Sequence, residues 1–105
     1  MYGVDLVIVQ RAIRVAILMI AYDLHPVEGR TYNGLYETIK GLGTGWWRGL
    51  DSAWLVITTK TTDQIRDELA RHLGRDDRLI VMSYGKGAAW VGLGAERAYW
   101  LSENL

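Results

Sequence analysis

The chain has 105 residues, half of them hydrophobic and 23% charged, which supplies one globular core and excludes a disordered tail. Its 12 basic and 12 acidic residues balance, so no long-range positive field attracts a nucleic-acid backbone of any sequence. The absence of cysteine excludes disulfides, thiolate metal sites and thiol nucleophiles. With only His25 and His72, the composition also argues against a histidine-rich zinc site within one chain.

Residues 1–14 precede the regular pattern of the chain. The apolar run at 4–9 is interrupted by Asp5 and followed by Arg11 and Arg14, which fits neither a secretory signal nor a membrane span. We interpret residues 1–14 as an extra strand or a disordered extension, and 15–105 as a single domain. We therefore expect a cytoplasmic protein that does not associate with membranes.

The first half of the domain predicts a strand and a helix. Val15 to Tyr22 is an unbroken apolar run of strand length, as expected for the central strand of a sheet. The loop that follows contains His25 and Pro26. Apolar and aromatic residues then recur at helical spacing over 32–42, and a glycine cluster ends this first helix.

The middle of the chain predicts two strands and a second helix. Aromatic and β-branched residues at 46–50 and 52–58 indicate two antiparallel strands joined by a turn or bulge at 49–51. Thr61 and Gln64 have the spacing of a capping box, and apolar residues follow them every four positions. This is the clearest local signal in the sequence.

The last quarter predicts a fourth strand and two further elements. Leu79 to Tyr84 has the pattern of a buried strand, Ala88 to Leu93 favours a short edge strand, and Ala95 to Asn104 favours a terminal helix. The main order is strand, helix, strand, strand, helix, strand. It predicts an α+β, ferredoxin-like β-α-β-β-α-β sandwich, with an antiparallel sheet, two helices on one face and the first and third strands adjacent.

Asp23 is the best candidate for a functional carboxylate, because it stands at the carboxyl end of the predicted central strand. One carboxylate holds Mg²⁺ poorly, but two copies of Asp23 facing each other across a dimer axis could hold it together with a substrate phosphate. The alternative is that Asp23 caps the following turn.

Basic and aromatic residues suggest surfaces for partners. Lys86, with Arg30 and Arg48 if they share a face, could bind nucleic-acid phosphates, although a lysine in a turn is more often simply solvated. Trp46 and Trp47 occupy adjacent strand positions and must face opposite sides, so one of them reaches a second surface. That surface is a dimer interface or a base-stacking platform, and the zero net charge favours the interface.

Several short motifs between Val15 and Tyr84 also resemble a known family. They are Tyr22-Asp23-Leu24 after the first strand, Leu42-Gly43 after the first helix, the stretch from Leu50 to Leu55, and Asp76-Asp77-Arg78 before the last strand. The pattern resembles the small CRISPR-associated adaptation protein Cas-two and its VapD-like relatives, and is most similar to the small bacterial and phage proteins labelled SinR-like.

This resemblance implies a ferredoxin-like homodimer that acts on RNA or DNA, as a metal-dependent endonuclease or as a nucleic-acid-binding scaffold. Asp23 matches the family's metal-binding and catalytic aspartate, with Mg²⁺ as the expected ion, and Ser52 matches the serine that opens the third strand. Leu50 stands where the family has Gln. A non-enzymatic dimeric protein-interaction module is the alternative function.

Overall fold

The computed structural model describes residues 15–105 as an α+β fold, with a four-stranded antiparallel sheet and three helices in this part of the chain. The interpretation of residues 1–14 as a strand or extension lies outside the described residues. The elements in chain order are β1 (Ala16–Asp23), α1 (Asn33–Lys40), β2 (Gly45–Leu50), β3 (Ala53–Thr58), α2 (Thr62–Ala70), β4 (Arg78–Ser83) and α3 (Gly94–Asn104).

The sheet has the order β2-β3-β1-β4, so β1 is a central strand and lies beside β3, as the sequence predicted. Ile20 of β1 lies opposite Trp54 of β3 and Val81 of β4. Because neighbouring residues of a strand point to opposite faces, this register puts the three side chains on one face. The long apolar run of β1 therefore serves both faces of the sheet.

The larger core lies between one face of the sheet and helices α1 and α2. Leu35 and Ile39 of α1 and Ile65 and Leu69 of α2 are fully buried there. The predicted capping box is confirmed, since the Thr61 hydroxyl accepts the N–H of Gln64 (3.1 Å) and the Gln64 side chain accepts the N–H of Thr61 (2.9 Å). Thr61 thereby fixes where α2 begins.

A smaller core lies on the opposite face of the sheet, which we call the second face. It contains Trp47, Leu55 and Leu101, so α3 packs here rather than beside the other helices. The prediction of two helices on one face is correct for α1 and α2 but incomplete, because α3 adds a helix to the second face. Across residues 15–105, no helix combines the length and apolarity needed to cross a bilayer.

Two predictions about the last quarter of the chain are wrong. Residues 88–93 form no strand. Gly87 (φ 89°), just before this segment, and Gly92 (φ 80°), within it, have left-handed backbone conformations that interrupt extended structure. The last strand, β4, is not of buried type, because it lies at the edge of the sheet, where Ile80 and Met82 are 53% and 45% exposed. An apolar run alone does not distinguish an edge strand from a central one.

Candidate functional site

Asp23 is the last residue of β1, is exposed to solvent and lies opposite Arg78 of β4 in the sheet register. Together with Tyr22 and Ile80 they line a small depression at this end of the sheet. Within residues 15–105, no three histidine or acidic side chains are grouped closely enough to hold a metal ion. A metal site at Asp23 therefore needs ligands from elsewhere, such as a second copy of the chain.

A buried hydrogen-bonded chain fixes the backbone beside Asp23. The indole N–H of Trp54 donates to the Tyr22 hydroxyl (2.9 Å), which donates to the carbonyl of Asp51 (2.9 Å). The Tyr22 N–H donates to the carbonyl of Ser52 (3.0 Å). Burial raises the pKa of the Tyr22 hydroxyl, so it remains a donor at neutral pH. The β2–β3 turn, with Ser52 exposed in it, is thus tied to the end of β1.

Asp77 is the most strongly perturbed ionisable group of the described chain. Its side chain is 2% exposed and accepts the backbone N–H groups of His25 (2.8 Å) and Gly74 (2.7 Å) and the Tyr32 hydroxyl (2.8 Å). These donors, the His25 N–H above all, lower the pKa of Asp77 to about 2. Asp77 therefore holds the loop after β1 against the turn before β4, which is a structural role that the sequence analysis missed.

Arg30 belongs to the same network, in which its guanidinium is paired with the Asp77 carboxylate. It lies 3.9 Å from the Asp77 carboxylate, donates to the carbonyl of His72 (3.3 Å) and stands 5.5 Å from the centre of the Tyr32 ring. His72 lies just beyond α2, which ends at Ala70. Arg30 is therefore held by internal partners rather than directed to a ligand.

Arg48 and Lys86 lie at opposite ends of the sheet. On β2, Arg48 lies two residues before Leu50. Leu50 pairs with Ala53 of β3, and Ala53 pairs with Ala21 of β1, so Arg48 lies near the end of the sheet that carries Asp23. Lys86 follows β4 and lies two residues beyond Tyr84. The N–H of Tyr84 donates to the carbonyl of Ile17, near the start of β1. Six residues of strand separate Ile17 from Asp23, roughly 20 Å. The structure therefore does not bring Lys86 together with Asp23 or Arg48.

The second face holds a cavity with a volume of about 550 Å³. Its lining is mainly apolar and includes Met19, Trp47, Leu50, Met82 and Trp90.

No protein-family model matches the chain, and no curated protein or solved structure shows significant similarity to it.

The sequence analysis did not identify the cavity. The exposed residues at its rim, Met82 and Trp90, lie in segments whose sequence patterns predict a buried strand and an edge strand. The four consecutive apolar residues of β4 do not alternate with polar ones, so the sequence carries no signal that would have located it. Leu79 and Val81 pack against the main core, whereas Ile80 and Met82 point to the other side.

Proposed function

We propose that this protein is a non-catalytic homodimeric interaction module, in which β4 and the adjoining second face of one copy bind the same surface of another. The observation that carries the proposal is the pair of exposed apolar side chains on β4, Ile80 and Met82, beside the apolar 550 Å³ cavity. Contiguous exposed apolar surface of this kind marks an interaction site.

The backbone of β4 supports strand pairing between copies. Within the described chain, β4 pairs with β1 only, so its other edge has free N–H and C=O groups. Edge strands are normally protected by lysine, proline or inward-pointing charge. The only charged residue of β4 is Arg78, at its first position, and four apolar residues follow it. Two copies of β4 joined in antiparallel fashion would pair these groups and extend the sheet across both subunits.

The chemistry of the surface favours a second copy as the partner. The chain has zero formal net charge, so two copies do not repel each other at long range. A two-fold interface uses one patch twice and needs that patch to be self-complementary, which an apolar patch is. A stable interface buries about 800 Å² per partner, so it must extend beyond β4 to the cavity rim at Leu50, Trp90 and Val91.

We also propose that the fold is a ferredoxin-like split βαβ arrangement to which α3 has been added. Two observations support this proposal. β1 and β3 are the central strands of the sheet and lie side by side, and the chain makes two strand-helix-strand connections, β1-α1-β2 and β3-α2-β4, whose helices lie on one face. Such an arrangement leaves the opposite face open for association. Here α3 covers only part of it.

Light scattering after size-exclusion chromatography tests the dimer. One chain has a mass of 11.9 kDa, so light scattering should give the eluted wild-type protein about twice that mass. Ile80→Lys and Met82→Lys place a charge in the interface and should shift the protein to a monomer. Val27→Lys is the matched control, because Val27 is also an exposed apolar residue but lies in the loop after β1. A folded wild-type monomer would refute the proposal.

A Mg²⁺-dependent nuclease centred on Asp23 is the second candidate function, favoured by the exposed position of this carboxylate opposite Arg78. It needs a different dimer. Antiparallel pairing of β4 would put the partner's Asp23 at the far end of the joined strands, too distant to share one ion. Mg²⁺-dependent cleavage of labelled RNA or DNA that is lost in Asp23→Asn would support this function, and cleavage that survives the substitution would exclude it.

A further inference from the structure

Arg48 is held in one orientation by two aromatic rings. Its guanidinium carbon lies 4.4 Å from the centre of the Tyr36 ring and 4.9 Å from that of Trp54, and Nη2 donates to the carbonyl of Asp51 (2.9 Å). Stacking of this kind fixes the plane of the guanidinium while its N–H groups stay at the edge. The exposed side chain therefore presents an oriented set of donors to solvent.

The charge of Arg48 has no carboxylate partner within residues 15–105. Arg30 and Arg66 form ion pairs in this part of the chain, whereas Arg48 forms none. Nearby, the Lys40 ammonium lies 5.2 Å from the centre of the Trp46 ring, which is 42% exposed. Trp46 and Arg48 are two positions apart on β2, and both contact Trp54 on the helix-bearing face of the sheet.

The backbone of β2 is the second component of this surface. β2 pairs with β3 only, so within the described chain its outer edge has unpaired N–H and C=O groups, as β4 has on the opposite side of the sheet. An extended peptide added to such an edge places every second side chain beside the matching side chains of the edge strand. Side chains two residues apart on the peptide would therefore lie beside Trp46 and Arg48.

We propose that the β2 edge binds an extended acidic peptide segment by strand addition. A Glu or Asp of the peptide pairs with the Arg48 guanidinium, and an apolar or aromatic residue two positions away packs against Trp46. The site lies at the opposite edge of the sheet from β4, so it does not depend on the proposed homodimer.

Charge and backbone together select this class of partner. An arginine that is already oriented loses little side-chain freedom when it binds a carboxylate through two parallel hydrogen bonds. The N–H and C=O groups on the outer edge of β2, unpaired within residues 15–105, match another peptide backbone, whereas a nucleic-acid backbone lacks alternating donors and acceptors at the spacing of a β-strand. The surface therefore fits a peptide carboxylate better than a phosphate of nucleic acid.

Fluorescence anisotropy with a labelled nonapeptide tests this inference. The probe alternates Thr and Val and has one Val replaced by Glu; two control probes have Gln or Lys in place of that Glu. We expect the wild-type protein to bind the Glu probe about fivefold more tightly than the Gln probe, the effect of one cross-strand ion pair. Arg48→Gln should abolish this difference, whereas Arg75→Gln, which changes an exposed arginine in the turn before β4, should preserve it.

Amide chemical shifts then locate the bound probe in the wild-type protein. The inference requires shifts at Gly45–Leu50 on addition of the Glu probe. It is overturned if the shifts are confined to β4, or if the Glu, Gln and Lys probes bind equally. It is also overturned if a labelled single-stranded oligonucleotide binds in an Arg48-dependent manner while the Glu probe does not bind.

Discussion

Replacement of Tyr22 by Phe removes one oxygen from the middle of the hydrogen-bonded chain beside Asp23. The Trp54 side chain is fully buried, and its indole N–H has the Tyr22 hydroxyl as acceptor at 2.9 Å. Without that oxygen, the buried indole N–H loses its partner, and the carbonyl of Asp51 keeps only its bond from Arg48. An unsatisfied buried donor costs about 1–3 kcal/mol, so we expect Tyr22→Phe to lower the free energy of unfolding by about 2 kcal/mol.

Urea denaturation followed by tryptophan fluorescence measures this change. Tyr99→Phe is the matched control: Tyr99 is 66% exposed, and its replacement should change the free energy of unfolding by less than about 0.5 kcal/mol. A double-mutant cycle with Trp54→Phe should show that the two substitutions are not additive, because they break the same hydrogen bond. Equal effects of Tyr22→Phe and Tyr99→Phe would refute the reasoning.

Three further predictions concern the features that hold the fold together. The pKa of Asp77 is lowered to about 2 from a usual 3.8, so its carboxylate stabilises the fold above about pH 4, and that contribution is lost as the pH falls to about 2. In acid denaturation, the stability of Asp77→Asn should therefore depend less on pH in this range than that of the wild-type protein. An unchanged pH profile would contradict the role of the Asp77 network. Gly43→Ala should destabilise the protein by about 2 kcal/mol or more in urea, because a Cβ there would collide with the carbonyl of Ile57, whereas Gly85→Ala, with no atom within 4 Å, should be neutral in the same assay. Thr61→Ala should cost about 1 kcal/mol through loss of the helix cap, and it fails as a prediction if the unfolding midpoint does not move.

The sequence predicted the elements of the main core well because their signals are local. The length of the unbroken apolar β1 run, the helical spacing around Leu35 and Ile39, and the capping box at Thr61 are each read within a few residues. The adjacency of β1 and β3 followed from rules on chain connections. These features need no knowledge of distant contacts.

The position of an element in the sheet depends on distant contacts and was harder to predict. β4 has the apolar run of a buried strand, yet it lies at an edge because α2 returns the chain to the outer side of β1. The loop around Trp90 and the cavity beneath it depend on where α3 packs, which the local pattern does not determine. The partly covered second face could therefore not be predicted from the sequence.

The candidate site residues illustrate the same limit. Asp23 lies where the strand pattern placed it, at the end of β1. Arg30 and Arg48 were selected for charge alone, and only the folded chain distinguishes the arginine tied to Asp77 from the one that is stacked and free of ion pairs within residues 15–105. Asp77 belongs to the Asp76-Asp77-Arg78 motif before the last strand, but its partners at His25 and Tyr32 are about 50 residues away, so its structural role could not be read locally.

Disulfide crosslinking tests the proposed homodimer most directly, because the chain has no cysteine of its own. If two β4 strands pair in antiparallel fashion about an axis at Ile80, the two Ile80 residues lie directly opposite each other on the second face, within the distance of about 4–7 Å between Cα atoms that a disulfide spans. The account predicts that mild oxidation of Ile80→Cys gives a covalent dimer, while Val27→Cys stays monomeric on a denaturing gel. If both variants crosslink equally or neither does, the second face is not the dimer interface.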